Sequence, residues 1–393
     1  MSRPDSPTPV AIDVSAVMPC LNEARTLATC IGKARAYFAA AGVVGEVVVA
    51  DNGSDDGSQD IARAHGARVV DVPRRGYGAA LMAGITAARG RVIVMGDSDD
   101  SYDWSAIGAL VEGVRAGSDL VMGNRFQGGI KPGAMSFSHR YVGNPILSLI
   151  ARLVFRAPIG DFHCGMRAFT PEAFKRMRLR TPGMEFATEM VANSVLAGLK
   201  ISEVPITLYP DGRDRPPHLN TVRDGWRHLR FIATYAPDQL FLGPALLSLT
   251  AGTLLVILLA AGPVTIGSVY LGIHWLALGS MLSLTGLSLL AYGTLAKLVI
   301  RRTHPTADSR LVDWVLGRFR LEHGLLVGLV MAGLGALAEL GILAHFVSAG
   351  GGPAEGSVHP TIAAATLFVA GIQLCFAAFL IRLMSEEAGR TEG

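Results

Sequence analysis

Clustered positive charge is what this sequence most plainly lacks. No run of Lys or Arg exceeds two residues and the formal net charge is +3, which argues against a nucleic-acid partner. Paired cysteines are lacking too. The four that occur, Cys20, Cys30, Cys164 and Cys375, have the spacing of neither a disulfide framework nor a zinc site, so a reduced, cytosolic setting is expected. No Gly-x-Gly-x-x-Gly follows the first apolar run, which sets aside a dinucleotide-dependent dehydrogenase. Met1–Pro9 is rich in Pro and Ser and has no apolar core. No secretory signal is read there, and the domain that follows is expected in the cytosol.

Charge is scarce and unevenly placed. Charged residues make up 17% of the chain and hydrophobic ones 50%, yet most of the charges precede residue 240. Four apolar stretches follow, near Leu240–Ala261, Ile273–Ile300, Leu325–Val347 and Thr361–Met384. Each is long enough to cross hydrocarbon, which takes about 20 residues. Arg301, Arg302, Arg310, Arg318 and Arg320 lie between the second and third stretches, and Arg382 closes the fourth. The connections near Gly262–Gly267 and Ser348–Pro360 carry no Lys or Arg. That asymmetry predicts an integral protein of a bacterial-type inner membrane, with catalytic domain, middle loop and both termini cytoplasmic. The spans can serve as anchors alone. Glu339 and His345 in the third are the exceptions that keep a further role open.

Before residue 240, short β-branched runs alternate with helical patterns, as in a parallel α/β sheet. Strands are predicted at Ser15–Met18, Glu46–Ala50, Arg68–Val72 and Arg91–Gly96. Helices are predicted at Glu23–Ala41, Ser58–His65, Tyr77–Ala88 and Trp104–Ala116. Polar clusters follow the strands at Pro19–Glu23, Asp51–Ser58, Arg74–Gly78 and Asp97–Asp103, the edge where open α/β sheets bind ligands. Asp97-Ser98-Asp99 is the sharpest cluster, because an apolar strand delivers two carboxylates into one loop. Hard cations such as Mg²⁺ or Mn²⁺ bind one or two carboxylates plus substrate phosphates. The competing reading is a solvated loop of capping residues, which Asp103 ahead of Trp104 fits well. Asp51-Asn52-Gly53-Ser54 can likewise be turn chemistry.

Taken in order, these motifs resemble the inverting family-two glycosyltransferases of GT-A fold, most of all the polyprenyl-phosphate branch that includes dolichyl-phosphate mannose synthases. Met18-Pro19-Cys20-Leu21-Asn22-Glu23 matches the family's Pro-x-x-Asn-Glu, and Asp51-Asn52-Gly53-Ser54 its Asp-Asp/Asn-Gly-Ser. The resemblance covers about Val14 to Ile232. It implies an α/β catalytic domain with a Rossmann-like mixed sheet, followed by an all-α domain of four transmembrane helices. Pro19, Leu21, Asn22, Glu23, Asp51, Gly53, Gly76 and Ser98 would then face the nucleotide, and Asp97 and Asp99 would hold the metal. Gly123-Asn124-Arg125-Phe126 resembles the element that holds the acceptor phosphate. Asp161 and Gly165-Met166-Arg167-Ala168-Phe169 resemble the segment beside the sugar. Asp100-Ser101 departs from the Leu-Gln that follows the second metal aspartate in mannose synthases, which leaves the third metal ligand open.

The implied reaction moves a hexose, with inversion, from UDP-glucose or GDP-mannose to a polyprenyl phosphate. Catalytic roles fall to Asp97, Asp99, Arg125 and Asp161. Arginine suits phosphate oxygens because its planar fork bonds two at once, so the acceptor phosphate is assigned to Arg125, Arg140, Asn144 and Arg215. The polar loop Gly212-Arg213-Asp214-Arg215 with His218 is placed over the diphosphate. Tyr141–Phe155 reads as an interfacial helix or an ordinary buried one. Thr221–Tyr235, with Arg223, Arg227, His228, Arg230, Trp226 and Phe231, reads as lipid-headgroup contact. The alternative enzyme, a processive polysaccharide synthase, lacks its Gln-x-x-Arg-Trp element here, and a transporter with a non-catalytic nucleotide domain is disfavoured by the intact acidic pair. The expected organisation is a tail at 1–12, the catalytic domain at 13–218, a juxtamembrane segment at 219–239, the membrane domain at 240–384 with a cytosolic loop at 301–323, and a tail at 385–393. A homo-oligomer is left open.

Overall fold

A computed structural model describes residues 11–157, 159–213, 221–303, 309–350 and 355–389. The chain divides into two units, Met1–Tyr235 and Ala236–Gly393.

Seven strands build the first unit's sheet: β1 Val14–Cys20, β2 Gly45–Asp51, β3 Arg68–Asp71, β4 Val92–Met95, β5 Leu120–Asn124, β6 Arg167–Phe169 and β7 Ile201–Pro205. Their spatial order is β3-β2-β1-β4-β6-β5-β7. β1 to β4 run parallel, and β6 runs antiparallel to both β4 and β5. β1 and β4 bury nearly every residue because helices cover both faces, which is why they read as continuous apolar runs. The helices are α1 Leu27–Ala41, α2 Ser58–Ala64, α3 Tyr77–Ala87, α4 Gly108–Arg115, α5 Arg125–Gly128, α6 Asn144–Phe155, α7 Pro171–Met177, α8 Phe186–Leu196 and α9 Thr221–Thr234. One core, around Met18, Ile31, Trp104 and Val111, lies on one side of the sheet. The other, around Leu81, Met95, Phe155, Phe162 and Phe186, lies on the opposite side.

The strands and helices predicted before residue 117 appear with two adjustments, and further strands and helices follow them. α1 starts at Leu27 and not at Glu23, because Asn22 adopts a left-handed φ of 59° and Glu23 to Thr26 form a turn held from outside. The helix expected over Trp104–Ala116 splits into a 3₁₀ turn at Trp104–Ala106 and α4. Asp103 caps that turn, accepting from Ser105 N at 3.0 Å. β5, β6 and β7 were not anticipated. Three residues of β6 are too few for alternation to register.

The second unit holds α10 Gly243–Leu259, α11 Ile273–Thr303, α12 Arg310–Arg318, α13 Leu321–Ser348 and α14 Val358–Gly389. Among the described residues, four segments here have the length and apolarity of membrane spans: Asp238–Leu259, Ile273–Arg302, Leu321–Ser348 and Val358–Ser385. Small residues set their packing, as in lipid where apolar surface alone gives helices no reason to associate. Gly324, Gly328, Ala332 and Gly335 form the buried stripe of α13. A Cβ on Gly328 would lie 2.6 Å from Cys375 Sγ. Between the first two spans the chain makes an unanticipated hairpin, Val264–Ile266 with Val269–Leu271. α12 lies within the basic loop and seats Val312 and Val315 against Leu298. Glu339 Oε1 is buried without a hydrogen-bond partner among the described residues.

Candidate active site

Four loops leave the carboxyl ends of β1, β2, β3 and β4, and hydrogen bonds lace them together. Asn22 N donates to Ser54 Oγ at 2.8 Å and Glu23 N to Ser58 Oγ at 2.9 Å. Asp55 N returns a bond to Asn22 Oδ1 at 2.9 Å. Asn52 reaches the third loop, donating to Val72 O and Arg74 O and accepting from Gly76 N. These side chains are short and polar because each must satisfy a specific main-chain group where the strands stop supplying partners.

Asp51 ends β2 facing this network. Its Oδ2 accepts from Gly53 N, Ser54 N and Gln59 Nε2 at 2.7–3.0 Å. Burial pushes the carboxyl up, but these hydrogen bonds outweigh it and hold it below the usual carboxylate range. Oδ1 is buried and lacks a hydrogen-bond partner among the described residues. A charged acceptor kept dry and unpaired is costly unless a ligand donor completes it. Gly53 has φ 91°, and the Arg75 guanidinium lies 3.6 Å from where its Cβ would be. That places Arg75 over the loop.

Gly76 is essential to the third loop. Its φ is 138°, and a Cβ there would stand 2.2 Å from Pro182 O. Gly76→Ala therefore combines backbone strain of about 1–3 kcal/mol with a clash that displaces the loop. The expected result is a melting temperature several degrees lower, together with weaker nucleotide binding in isothermal titration. Unchanged stability and nucleotide affinity would show that the close approach carries no weight.

Asp97, Ser98 and Asp99 follow β4. Asp97 Oδ1 accepts from Tyr77 Oη at 2.9 Å, and Trp104 Nε1 donates to Asp97 O at 3.0 Å. Burial and then the Asp99 charge raise the Asp97 carboxyl from its ordinary 3.8 to about 6, against the opposing pull of Tyr77, Arg213 and Arg125. Gly165 lets the next loop close on this group, since a Cβ there would lie 2.8 Å from Asp97 Oδ2. Ser98 gives its hydroxyl to Pro19 O at 2.6 Å and so joins the first and fourth loops. Asp99 Oδ1 accepts from Ser101 N and Oγ, while Oδ2 meets Arg213 Nη2 at 3.2 Å. Asp100 pairs with Lys33 at 2.8 Å. Among the described residues no group of three or more His, Cys, Asp or Glu is arranged to hold a metal. Of the described residues, Asp97 and Asp99 are the ones that would hold a divalent ion here. Two crowded carboxylates, one with its proton affinity raised by the other, make a donor set that suits such an ion.

Arg125 and Asp161 lie together behind the acidic pair. Nε and Nη2 of Arg125 bond Asp161 Oδ2 and Oδ1 at 2.7 and 2.8 Å, and Arg125 N adds a third bond at 3.1 Å. Arg125 is 7% exposed and Asp161 fully buried. Glu203 supports the turn, accepting from Gly160 N and Asp161 N at 2.9–3.0 Å. Arg125 is thus held by a carboxylate and bears electrostatically on Asp97. Arg167, in the segment matched to the sugar side, is fully buried and donates to the carbonyls of Cys164, Ala187 and Phe162. Its role is to tie strand to loop.

Of the other acceptor residues, Arg140 stacks over the Tyr141 ring at 5.3 Å and makes no ion pair with the described residues. Asn144 begins α6, with Nδ2 3.5 Å from Met135 Sδ. Arg215, Asp214, His218 and the Arg223 side chain lie outside the described residues. Residue patterns missed Tyr77, whose hydroxyl meets Asp97, and Glu203, more than forty positions from the aspartate it supports. They also missed the pairing of Arg213 with Glu23 and Asp99. Only Tyr77, between two glycines at a helix start, left a local trace.

Comparison with known proteins places the chain in a family. Residues 15–178 match the model of "Glycosyl transferase family 2", and residues 294–385 that of the "Glycosyltransferase family 2 C-terminal transmembrane region". The chain is 35% identical over 378 residues to the low-salt glycan biosynthesis hexosyltransferase Agl6 of Haloferax volcanii, covering 96% of this chain and 90% of that protein. It is 33% identical over 161 residues to a dolichyl-phosphate hexose transferase of the same organism, covering 41% of this chain and 68% of that one. A solved glucosyl-3-phosphoglycerate synthase from Mycobacterium tuberculosis aligns at TM-score 0.44 and 23% identity, over 57% of this chain and 78% of that one. The chain is a membrane-embedded member of glycosyl transferase family 2, with a GT-A catalytic unit.

Proposed function

We propose that this glycosyltransferase moves a hexose, with inversion, from a nucleotide-sugar to the phosphate of a polyprenyl phosphate at the cytoplasmic face of the membrane. The observation that carries the lipid acceptor is an apolar ridge on the catalytic unit itself. Phe137, Tyr141, Val142, Ile146, Leu149 and Leu153 all face outward, Phe137 76% and Leu153 65% exposed. On its other side, α6 buries Ser148, Ala151 and Phe155. So extended an apolar face marks a membrane or ligand contact. Trp226 on α9 is exposed as well. Ala157, Ile159 and Phe162, which flank Asp161 in the chain, lie in the same core as Phe155 of α6.

A phosphate monoester has a second pKa of about 6 and is mostly dianionic at cytosolic pH. The protein therefore needs no strong base, only positioning and charge neutralisation. Arg125, oriented by Asp161, and Arg140 at the head of the ridge supply positive charge for the acceptor. The four loops hold the donor, with the unpaired Asp51 Oδ1 available to a base or ribose donor. Asp97 and Asp99 would hold Mg²⁺ or Mn²⁺, which supplies Lewis-acid stabilisation of the departing diphosphate. The dolichyl-phosphate hexose transferase among the relatives supports the acceptor class. UDP-glucose and GDP-mannose are the donors to separate.

The test offers the purified chain labelled UDP-glucose and GDP-mannose with undecaprenyl phosphate and Mg²⁺ or Mn²⁺. Label in the lipid phase, dependent on the metal, is expected. Label found only in a water-soluble or polymeric product refutes the reading. A double Leu149→Ser, Leu153→Ser variant should raise the apparent KM for a bilayer-embedded acceptor about tenfold. That figure corresponds to losing ~1.4 kcal/mol of apolar burial. The KM for the nucleotide-sugar should stay unchanged, and equal shifts in both would count against a lipid-facing ridge.

A further inference from the structure

Arg213 stands where a cation is wanted. Its Nη2 lies 2.8 Å from Glu23 Oε1 and 3.2 Å from Asp99 Oδ2. Its Nε donates to both Glu23 oxygens, at 2.9 and 3.1 Å. One guanidinium thus bridges a carboxylate of the first loop to a carboxylate of the acidic pair. The main chain leading to it is fastened to that same loop. Tyr209 N donates to Ser101 O and Gly212 N to Asp99 O, both at 2.9 Å. Gly212 is pressed so close that a Cβ would meet Thr26 Cγ2 at 2.8 Å. Thr26 Oγ1 in turn holds Ser98 O at 2.7 Å.

This arginine is the cation that meets both Glu23 and Asp99, and it also bears electrostatically on Asp97. Three poorly solvated carboxylates in one cleft repel strongly. Asp99 Oδ2 is also an oxygen that a divalent ion on the pair would need. We infer that Arg213 is the built-in counter-cation of the donor site: it occupies Asp99 while the site is free of metal, and yields that oxygen when the metal and nucleoside diphosphate bind. Freed from Asp99, the guanidinium lies on the diphosphate side of the cleft and exchanges a carboxylate partner for a phosphate one, which its fork geometry favours. The inference rests on the metal-dependent donor site proposed above and assigns that site a binding residue of its own.

Mn²⁺ binding by the full-length protein in detergent, read by electron paramagnetic resonance, tests it without turnover. With no nucleotide present, Arg213→Gln should bind Mn²⁺ about three- to tenfold more tightly than the parent chain. With Mn²⁺ saturating, the same variant should bind UDP or GDP about tenfold more weakly. Gly212→Ala, which shifts the arginine without deleting it, should move both affinities the same way by smaller factors. If the parent binds Mn²⁺ and Arg213→Gln binds it equally or less tightly, the counter-cation role is refuted while the metal site stands. If the parent binds no Mn²⁺ with or without nucleotide, the metal reading fails and this inference falls with it.

Discussion

Asp97→Asn is expected to make the metal-free catalytic unit more stable while removing its activity. The carboxyl is raised from 3.8 to about 6, first by burial and then by the neighbouring Asp99. In the unfolded chain it ionises freely near 4, so the folded state loses stability as pH rises from about 4 through 6 and carries the full penalty above that. Linkage caps the penalty at about 3 kcal/mol. Asparagine keeps an acceptor for Tyr77 and sheds the charge, though it forgoes attraction to Arg213 and Arg125. A net gain of about 1–2 kcal/mol remains, or several degrees in melting temperature at pH 7.5 without metal. The gain should vanish near pH 4. Transfer should fall at least ~10³-fold, the rate equivalent of the several kcal/mol that a positioned metal contributes. Asp99→Asn should lose activity equally but gain less stability, because the relief it gives Asp97 is offset by the weakened Arg213 pair and Ser101 cap. Thermal unfolding of both variants, with and without Mn²⁺, separates the cases. If Asp97→Asn is less stable than the parent at pH 7.5, the charge crowding inferred at this edge is wrong.

Asp161→Ala is expected to damage the catalytic unit's fold severely. It would leave the Arg125 guanidinium buried with its carboxylate partner gone. Breaking such a pair costs about 3–5 kcal/mol, against a total stability of roughly 5–15 kcal/mol for a domain. Low yield and a melting temperature lowered by ten degrees or more should follow. Asp161→Asn retains shape and one acceptor, so it should fold yet lose acceptor affinity as Arg125 loses its orientation. Burial raises the Asp161 carboxyl, but Arg125 overcomes this and holds it below its usual range. Its stabilising contribution is therefore complete above pH 4 and lost as pH falls through the lowered value. An Asp161→Ala protein as stable as the parent would show that Arg125 finds water or another partner, and that the pair is peripheral.

Much of this was legible because the local signals were strong. Alternation of apolar strands with amphipathic helices revealed β1 to β4 and the helices between them, and polar clusters after each strand marked the edge where the four loops meet. Span-length apolar runs revealed the membrane unit. What stayed hidden depended on contacts far apart in the chain. β6 is three residues long and joins the sheet only because β4 and β5 offer it edges. Glu203 supports Asp161 from a strand more than forty residues away. Arg213 meets Glu23 across nearly two hundred residues, and no sequence window connects them.

By itself the sequence determined which residue types stand at which strand ends, since apolar periodicity and turn chemistry are local and survive without a fold. It also determined that four stretches after residue 239 suit hydrocarbon, because the match of apolar length to bilayer thickness needs no tertiary partner. Only the tertiary structure decided which charges neutralise one another. It gave Asp161 to Arg125, Asp100 to Lys33 and Asp99 to Arg213. Coulomb energy depends on distance and burial, and both are set when the chain closes on itself.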